Sequence, residues 1–140
     1  MANADRGLPF RDGVVAAAFS LDARRPAAEL ARVLAPQGVL VAAVPAAEDL
    51  LELRELVLGR GILLPGGDAV VRELASVFVP LARERVEERV TLDLPGLTAL
   101  ADSTYRLSRR REREALLAGG PREVVSRHDL LLFVRARPQP

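Results

Sequence analysis

The sequence has no cysteine and no tryptophan among its 140 residues, and only one histidine, one tyrosine and one methionine. Without cysteine there is neither a disulfide framework nor a thiolate metal site, although the compartment stays open. No apolar run reaches the roughly 18 residues that a membrane-spanning helix needs. The start lacks the basic, apolar and small-residue order of a signal peptide, so a cytoplasmic protein without a membrane partner is the default. Lysine is missing too: all 20 basic residues are arginine, a bias that speaks of GC-rich coding more than of function. They are balanced by 19 acids, and a formal charge of +1 gives no strong global pull on nucleic acid.

What is present is ample material for one core, since 49% of the chain is hydrophobic. The organising stretch covers residues 14–45 and reads strand, helix, strand. Two apolar runs, 14–21 and 39–44, flank a segment in which Ala27, Leu30, Ala31 and Leu34 recur at helical spacing behind Pro26. That is a βαβ unit. Neither run alternates apolar with polar, so both strands are expected to be buried on two faces of a parallel sheet, joined by a right-handed crossover. The fold class is α/β.

The remaining elements follow in order. Residues 1–13 read as a loop with Asp12-Gly13 as a turn signal, and Ala35-Pro36-Gln37-Gly38 as a turn that stops the helix. A second helix carries Glu48 and Asp49 in its first turn, buries Leu50, Leu53 and Val57, and closes at Gly59. Residues 61–67 read as a loop. Asp68 then caps a third helix facing inward through Val70, Val71, Leu74, Val77 and Phe78. Beyond Arg83 the period becomes two, with Val86, Val90, Leu92 and Leu94 alternating with Arg85, Arg89, Thr91 and Asp93, which predicts a half-buried strand. A short helix over 97–101, a charged helix over 108–114 ended by Gly119-Gly120-Pro121, and a central strand over 130–134 complete the chain. The last two strands are expected to pair antiparallel. Residues 1–59 thus form a βαβα unit, and 60–140 a helix and strand pair of the same domain.

Loops at the carboxyl ends of parallel strands are where α/β sheets bind ligands, which singles out Ser20, Asp22, Arg24 and Arg25. The same residues also suit an ordinary solvated connection, with Asp22 favoured near a helix N-terminus. Thr104 and Tyr105 suit contact with an extruded base, or simple packing at a domain edge. Arg109, Arg110, Arg111 and Arg113 are interleaved with Glu112 and Glu114, a pattern commoner on a solvated helix face than in a phosphate-binding patch. His128 adjoins the last strand, far along the chain from Asp22, and reads as a surface or turn histidine.

Three segments carry a resemblance. ANADRGLPFRDG, FSLDARRPAAELARVLAPQGVLVAAVP and AEDLLELRELVLG, in this order, resemble the second half of a Rossmann-like S-adenosylmethionine-dependent methyltransferase, and more narrowly the bacterial ribosomal RNA guanine-N1 methyltransferases. That family has an LPF-D-G loop before its fourth strand, an AEL-RVL-PGG helix and turn, and a P-x-x-x-L-x-ELR segment after its fifth. STYR at 103–106 is similar to its M-T-P-aromatic segment in weaker form. The likeness implies that Asn3 or Asp5 contacts the adenine of the cofactor, with Leu8 and Pro9 flanking it. It implies that Ser20 and Asp22 stand where the methyl acceptor meets the cofactor, and that Arg24, Arg25, Thr104, Tyr105 and Arg106 lie along RNA. Methyl transfer to a guanine nitrogen also needs one proton removed, a role that a carboxylate such as Asp22 suits.

The departures are as informative. The cofactor's glycine-rich loop, which must follow a strand and open a helix, has no counterpart: Gly59-Arg60-Gly61 stands at a helix end and Gly66-Gly67 in a loop. The family's zinc-ligating cysteines are missing, Ala16 stands where an acid is common, and Gln37 replaces a glycine. The resemblance therefore implies a carboxy-terminal half, partnered as a homodimer or with a cofactor-binding half. A non-catalytic module that binds protein or RNA is the other reading of the same residues.

Overall fold

In the computed structural model, which describes residues 7–105 and 110–136, the two apolar runs pair as expected. Strand β1 (Val15–Leu21) lies parallel to β2 (Leu34–Pro45), with helix α1 (Ala27–Val33) between them in the chain. Then come α2 (Leu51–Leu58), α3 (Gly66–Leu74), β3 (Phe78–Leu92), α4 (Leu94–Tyr105), α5 (Arg110–Leu117) and β4 (Arg122–Arg135). The four strands form one sheet in the order β1-β2-β4-β3, parallel only between β1 and β2. The fold class is therefore α/β as read, with the final strand inside the sheet. No helix among the described residues is long and apolar enough to cross a membrane.

The chain divides into two compact units. One comprises the chain up to Ala46, Pro65–Val86 and the chain from His128; the other comprises Ala47–Leu64 and Glu87–Arg127. In the first, Leu40, Ala42 and Val44 of β2 and Leu131 and Phe133 of β4 meet Ala31 of α1 and Val70 and Leu74 of α3, and the Phe78 ring lies edge-on to Phe133 at 6.5 Å. In the second, Leu50, Leu53 and Val57 of the α2 region pack with Leu97, Ala101, Leu116 and Val124. There Asp49, which is buried, accepts hydrogen bonds from Ser126 Oγ and the Arg127 N–H, and Arg127 pairs with Glu52 at 2.9 Å. Arg54, also buried, donates to the carbonyls of Ile62 and Asp49, holding the loop after α2.

Burial corrects the expectation of two strands covered on both faces. β2 alternates: Leu40, Ala42 and Val44 are buried, while Val39, Val41 and Ala43 are half-buried. β1 is an edge strand, with Phe19 72% and Leu21 70% exposed. Register brings the uncovered side chains together. Ala17, Val39 and Val134 form one row, Phe19, Val41 and Leu132 the next, and Leu21, Ala43 and Leu130 a third. None of these nine belongs to either buried cluster. The sequence is apolar on both sides of the sheet, but α1 and α3 cover one side only.

Other boundaries move for local reasons. Leu34 adopts extended geometry and already belongs to β2. The pairing jumps from Val15↔Leu34 to Ala17↔Val39, so the expected turn Ala35-Pro36-Gln37-Gly38 is a bulge inside the strand. Gly38 is required there, because a Cβ would stand 2.9 Å from the Val15 carbonyl oxygen. Pro26 caps α1, its carbonyl accepting the Leu30 N–H at 2.9 Å. Glu48 and Asp49 precede α2, whose cap is Leu50 at φ 49°; Gly59, at φ 70°, ends the helix as expected. α3 starts at Gly66, so Asp68 lies in its first turn and pairs with Arg83 instead of capping. β3 begins at Phe78 and is exposed from Val79 to Thr91, a solvated edge rather than a half-buried strand, and Leu94 opens α4.

Candidate active site

The carboxyl end of β1 is where the argument from the sequence placed chemistry, and the first unit builds a polar corner there. The ladder between β1 and β2 continues one residue past Leu21, the Asp22 N–H donating to the Ala43 carbonyl at 3.0 Å. Asp22 then turns into the left-handed region at φ 45°, a conformation that Asp tolerates better than most residues. This turn ends the strand and leaves the carboxylate exposed.

β4 runs antiparallel to β2, so its beginning lies at the same end, with His128 opposite Pro45 and Asp129 opposite Val44. Alternation puts His128 on the uncovered apolar side, continuing the row Leu132, Leu130, and sends Asp129 to the covered side. His128 Nε2 stands 3.8 Å from Asp22 Oδ2. His128, read from the sequence as a surface or turn histidine far along the chain from Asp22, lies within β4 and not in a turn, and sheet pairing brings it beside the aspartate. Only the strand order carries that proximity, and no local motif marks it.

Asp129 is 1% exposed and fully engaged. It accepts from Arg83 at 2.7 Å, from Arg85 at 3.1 and 3.0 Å, and from the Gly67 N–H at 3.2 Å. Burial alone would push its pKa up, but the hydrogen bonds from Arg83, Arg85 and Gly67 outweigh it and hold the carboxyl below its usual range. This buried carboxylate is a fastener of α3 and β3 to β4, with no lone pair to spare for a ligand.

Ser20 lies on the covered side, opposite Ala42 and 7% exposed, and its Oγ has no hydrogen-bond partner among the described residues. Of the two arginines expected beside an acceptor, Arg25 is committed elsewhere: its guanidinium pairs with Glu73 of α3 at 3.0 Å and donates to the Ala23 carbonyl at 2.8 Å. Arg24 is exposed at the surface of the same connection. Leu8 is held on α1, its N–H donating to Glu29 and its carbonyl accepting from Arg32, while Pro9 is exposed. Thr104 is exposed on α4 of the second unit, and Tyr105 is that helix's last residue. Asn3, Asp5, Arg106 and Arg109 lie outside the described residues.

S-adenosylmethionine would have to be held at a connection that leads from a strand into a helix, and the described residues contain three. These are 22–26, 46–50 and Asp93, and none contains a glycine. Each carries an acid, Asp22, Glu48 with Asp49, and Asp93; Asp49 is bonded to Ser126 and Arg127, and Asp93 to the Gly96 N–H. A cofactor whose methionine portion is cradled by close-approaching backbone N–H groups finds no such cradle in these turns. The described residues alone do not fit it. What the corner offers is an exposed carboxylate beside a half-buried imidazole, the two group types that most often serve in proton transfer.

No family model matches the sequence, and no curated protein matches it. Solved structures do resemble the fold. The proposed methyltransferase of Bacillus halodurans C-125 superimposes with a TM-score of 0.54 at 14% identity, covering 96% of this chain and 69% of its own. The YcgJ protein of Bacillus subtilis gives 0.57 at 12% identity, covering 94% and 68%. A protein of unknown function from Deinococcus radiodurans R1 gives 0.52 at 17% identity, covering 97% and 55%. At these identities the likeness is one of architecture, and the chain spans about two thirds or less of each neighbour's length. The four-stranded sheet and its helices share the α/β architecture of these structures, the proposed methyltransferase among them.

Proposed function

We propose that this chain is the acceptor-side part of an S-adenosylmethionine-dependent methyltransferase acting on RNA, with guanine N1 of ribosomal RNA as the acceptor implied by the sequence resemblance. The observation that carries the reading is the Asp22–His128 pair at the carboxyl end of the parallel strands, 3.8 Å apart, with the carboxylate exposed and the imidazole half-buried. Alkylation of a ring nitrogen that bears hydrogen releases one proton, and Asp22 with His128 beside it stands at the carboxyl end of the parallel strands to take it up. Cofactor binding is assigned to a complementary half, because the described strand-to-helix turns lack glycine. The uncharged edge of β1 and the nine-residue apolar face beside it are the surfaces that such a half, or a second copy, would cover.

A second reading is favoured by that same apolar surface: a non-catalytic module that has kept the sheet for binding a partner. Calorimetry with S-adenosylmethionine and transfer of a labelled methyl group to ribosomal RNA separate the two. The chain alone is expected not to bind the cofactor; mixed with a complementary cofactor-binding product it should transfer methyl groups, and Asp22→Asn should lower the rate by about a hundredfold, the scale of one general base. Full activity of Asp22→Asn together with His128→Gln would overturn the catalytic reading. Tight cofactor binding by the isolated chain would overturn the assignment of binding to a second half.

A further inference from the structure

Most arginines with described side chains are neutralised by an acid or bonded to a carbonyl. Arg25 has Glu73, Arg32 has Glu29 and Asp12, Arg83 and Arg85 share Asp129, Arg113 faces Asp102, and Arg127 has Glu52. Arg60 and Arg111 have no such partner among the described residues, and both line the same open cavity of about 420 Å³ in the second unit. Its walls are the end of α2 and the start of α5, with Leu56, Val57 and Ala115 supplying apolar surface and Glu112 one carboxylate. The size lies within the roughly 300–1,000 Å³ of small-ligand sites. Two unneutralised guanidiniums beside an apolar wall match a phosphate ester that carries a flat, weakly polar group.

We propose that this cavity binds one nucleotide unit of an RNA strand, phosphate toward Arg60 and Arg111 and base against Leu56 and Ala115. The proposal rests on the reading of an RNA substrate, and gives that substrate a subsite on α2 and α5. Neither arginine is buried, so replacing them leaves the apolar cluster of this unit intact.

The test is titration of the full chain with guanosine monophosphate, guanosine and inorganic phosphate, followed by calorimetry and by amide shifts of residues 56–60 and 111–115. The monophosphate should bind more tightly than either fragment, and R60A/R111A should weaken it at least tenfold. R72A, which removes an arginine of α3 that likewise has no described partner, should leave the affinity unchanged. Equal affinity for wild type and R60A/R111A, or an equal loss in R72A, would overturn the proposal. Its failure is distinguishable from failure of the catalytic reading: methyl transfer that depends on Asp22 can survive without a nucleotide site here, and nucleotide binding here can survive loss of Asp22.

Discussion

Single side chains in the first unit carry opposite signals about stability. The Ser20 hydroxyl is buried without a partner, and leaving such a group unsatisfied costs about 1–3 kcal/mol. Ser20→Ala should therefore raise stability by about 1 kcal/mol in urea denaturation; a loss would show that the hydroxyl is bonded in solution. Glu29 behaves the other way. Hydrogen bonds from the Arg32 guanidinium and then from the Leu8 N–H lower its pKa from the usual 4.5 to about 2. Because the folded value lies below the unfolded one, its contribution is complete above about pH 4.5 and disappears as the pH falls toward 2. Glu29→Gln should flatten the fall in stability across that window, measured as denaturation midpoint against pH. At this scale the sequence was readable only in part. Asp22 stands out after an apolar run, whereas His128 becomes its neighbour through pairing between β2 and β4, which no spacing along the chain encodes.

Among the elements, Asp129 is the anchor that patterning alone could not supply. Hidden at the start of an apolar run, it receives two arginines from β3 and the first turn of α3. Asp129→Asn should cost about 2 kcal/mol, less than the roughly 3–5 kcal/mol of a fully buried broken pair, because both arginines are partly exposed and can rehydrate. Differential scanning calorimetry would read it, and an unchanged melting temperature would remove Asp129 from this role. Helix and strand existence was legible wherever periodicity was strong: Leu53 and Val57 mark α2, Val70 and Leu74 mark α3, and 130–134 lies inside the sheet. Boundaries failed where the backbone took a conformation that composition does not announce. Pro36-Gln37-Gly38 signals a turn yet is accommodated as a bulge, and Leu50 caps α2 in a left-handed conformation despite its side chain.

For the molecule as a whole, the apolar character of residues 14–21 and 39–44 was legible, but not which face would be left uncovered. That depends on where α1 and α3 dock, and burying their stripes against Leu40, Ala42 and Phe133 leaves Phe19 and Leu21 outside. Phe19→Lys with Leu21→Lys should abolish self-association or capture of a complementary half while preserving the fold, since both side chains are already about 70% exposed. Sedimentation velocity checks this, and unchanged sedimentation of an associating protein would reject the face as the contact. The two borders of the sheet differ in kind: β1 carries no charge, whereas β3 shows Pro80, Arg83, Glu84 and Arg85 along its first half. Addition can thus proceed from one border and not from the other. Once a single strand has joined β1 the process halts, so the expected product is a discrete pair and never an open-ended fibril.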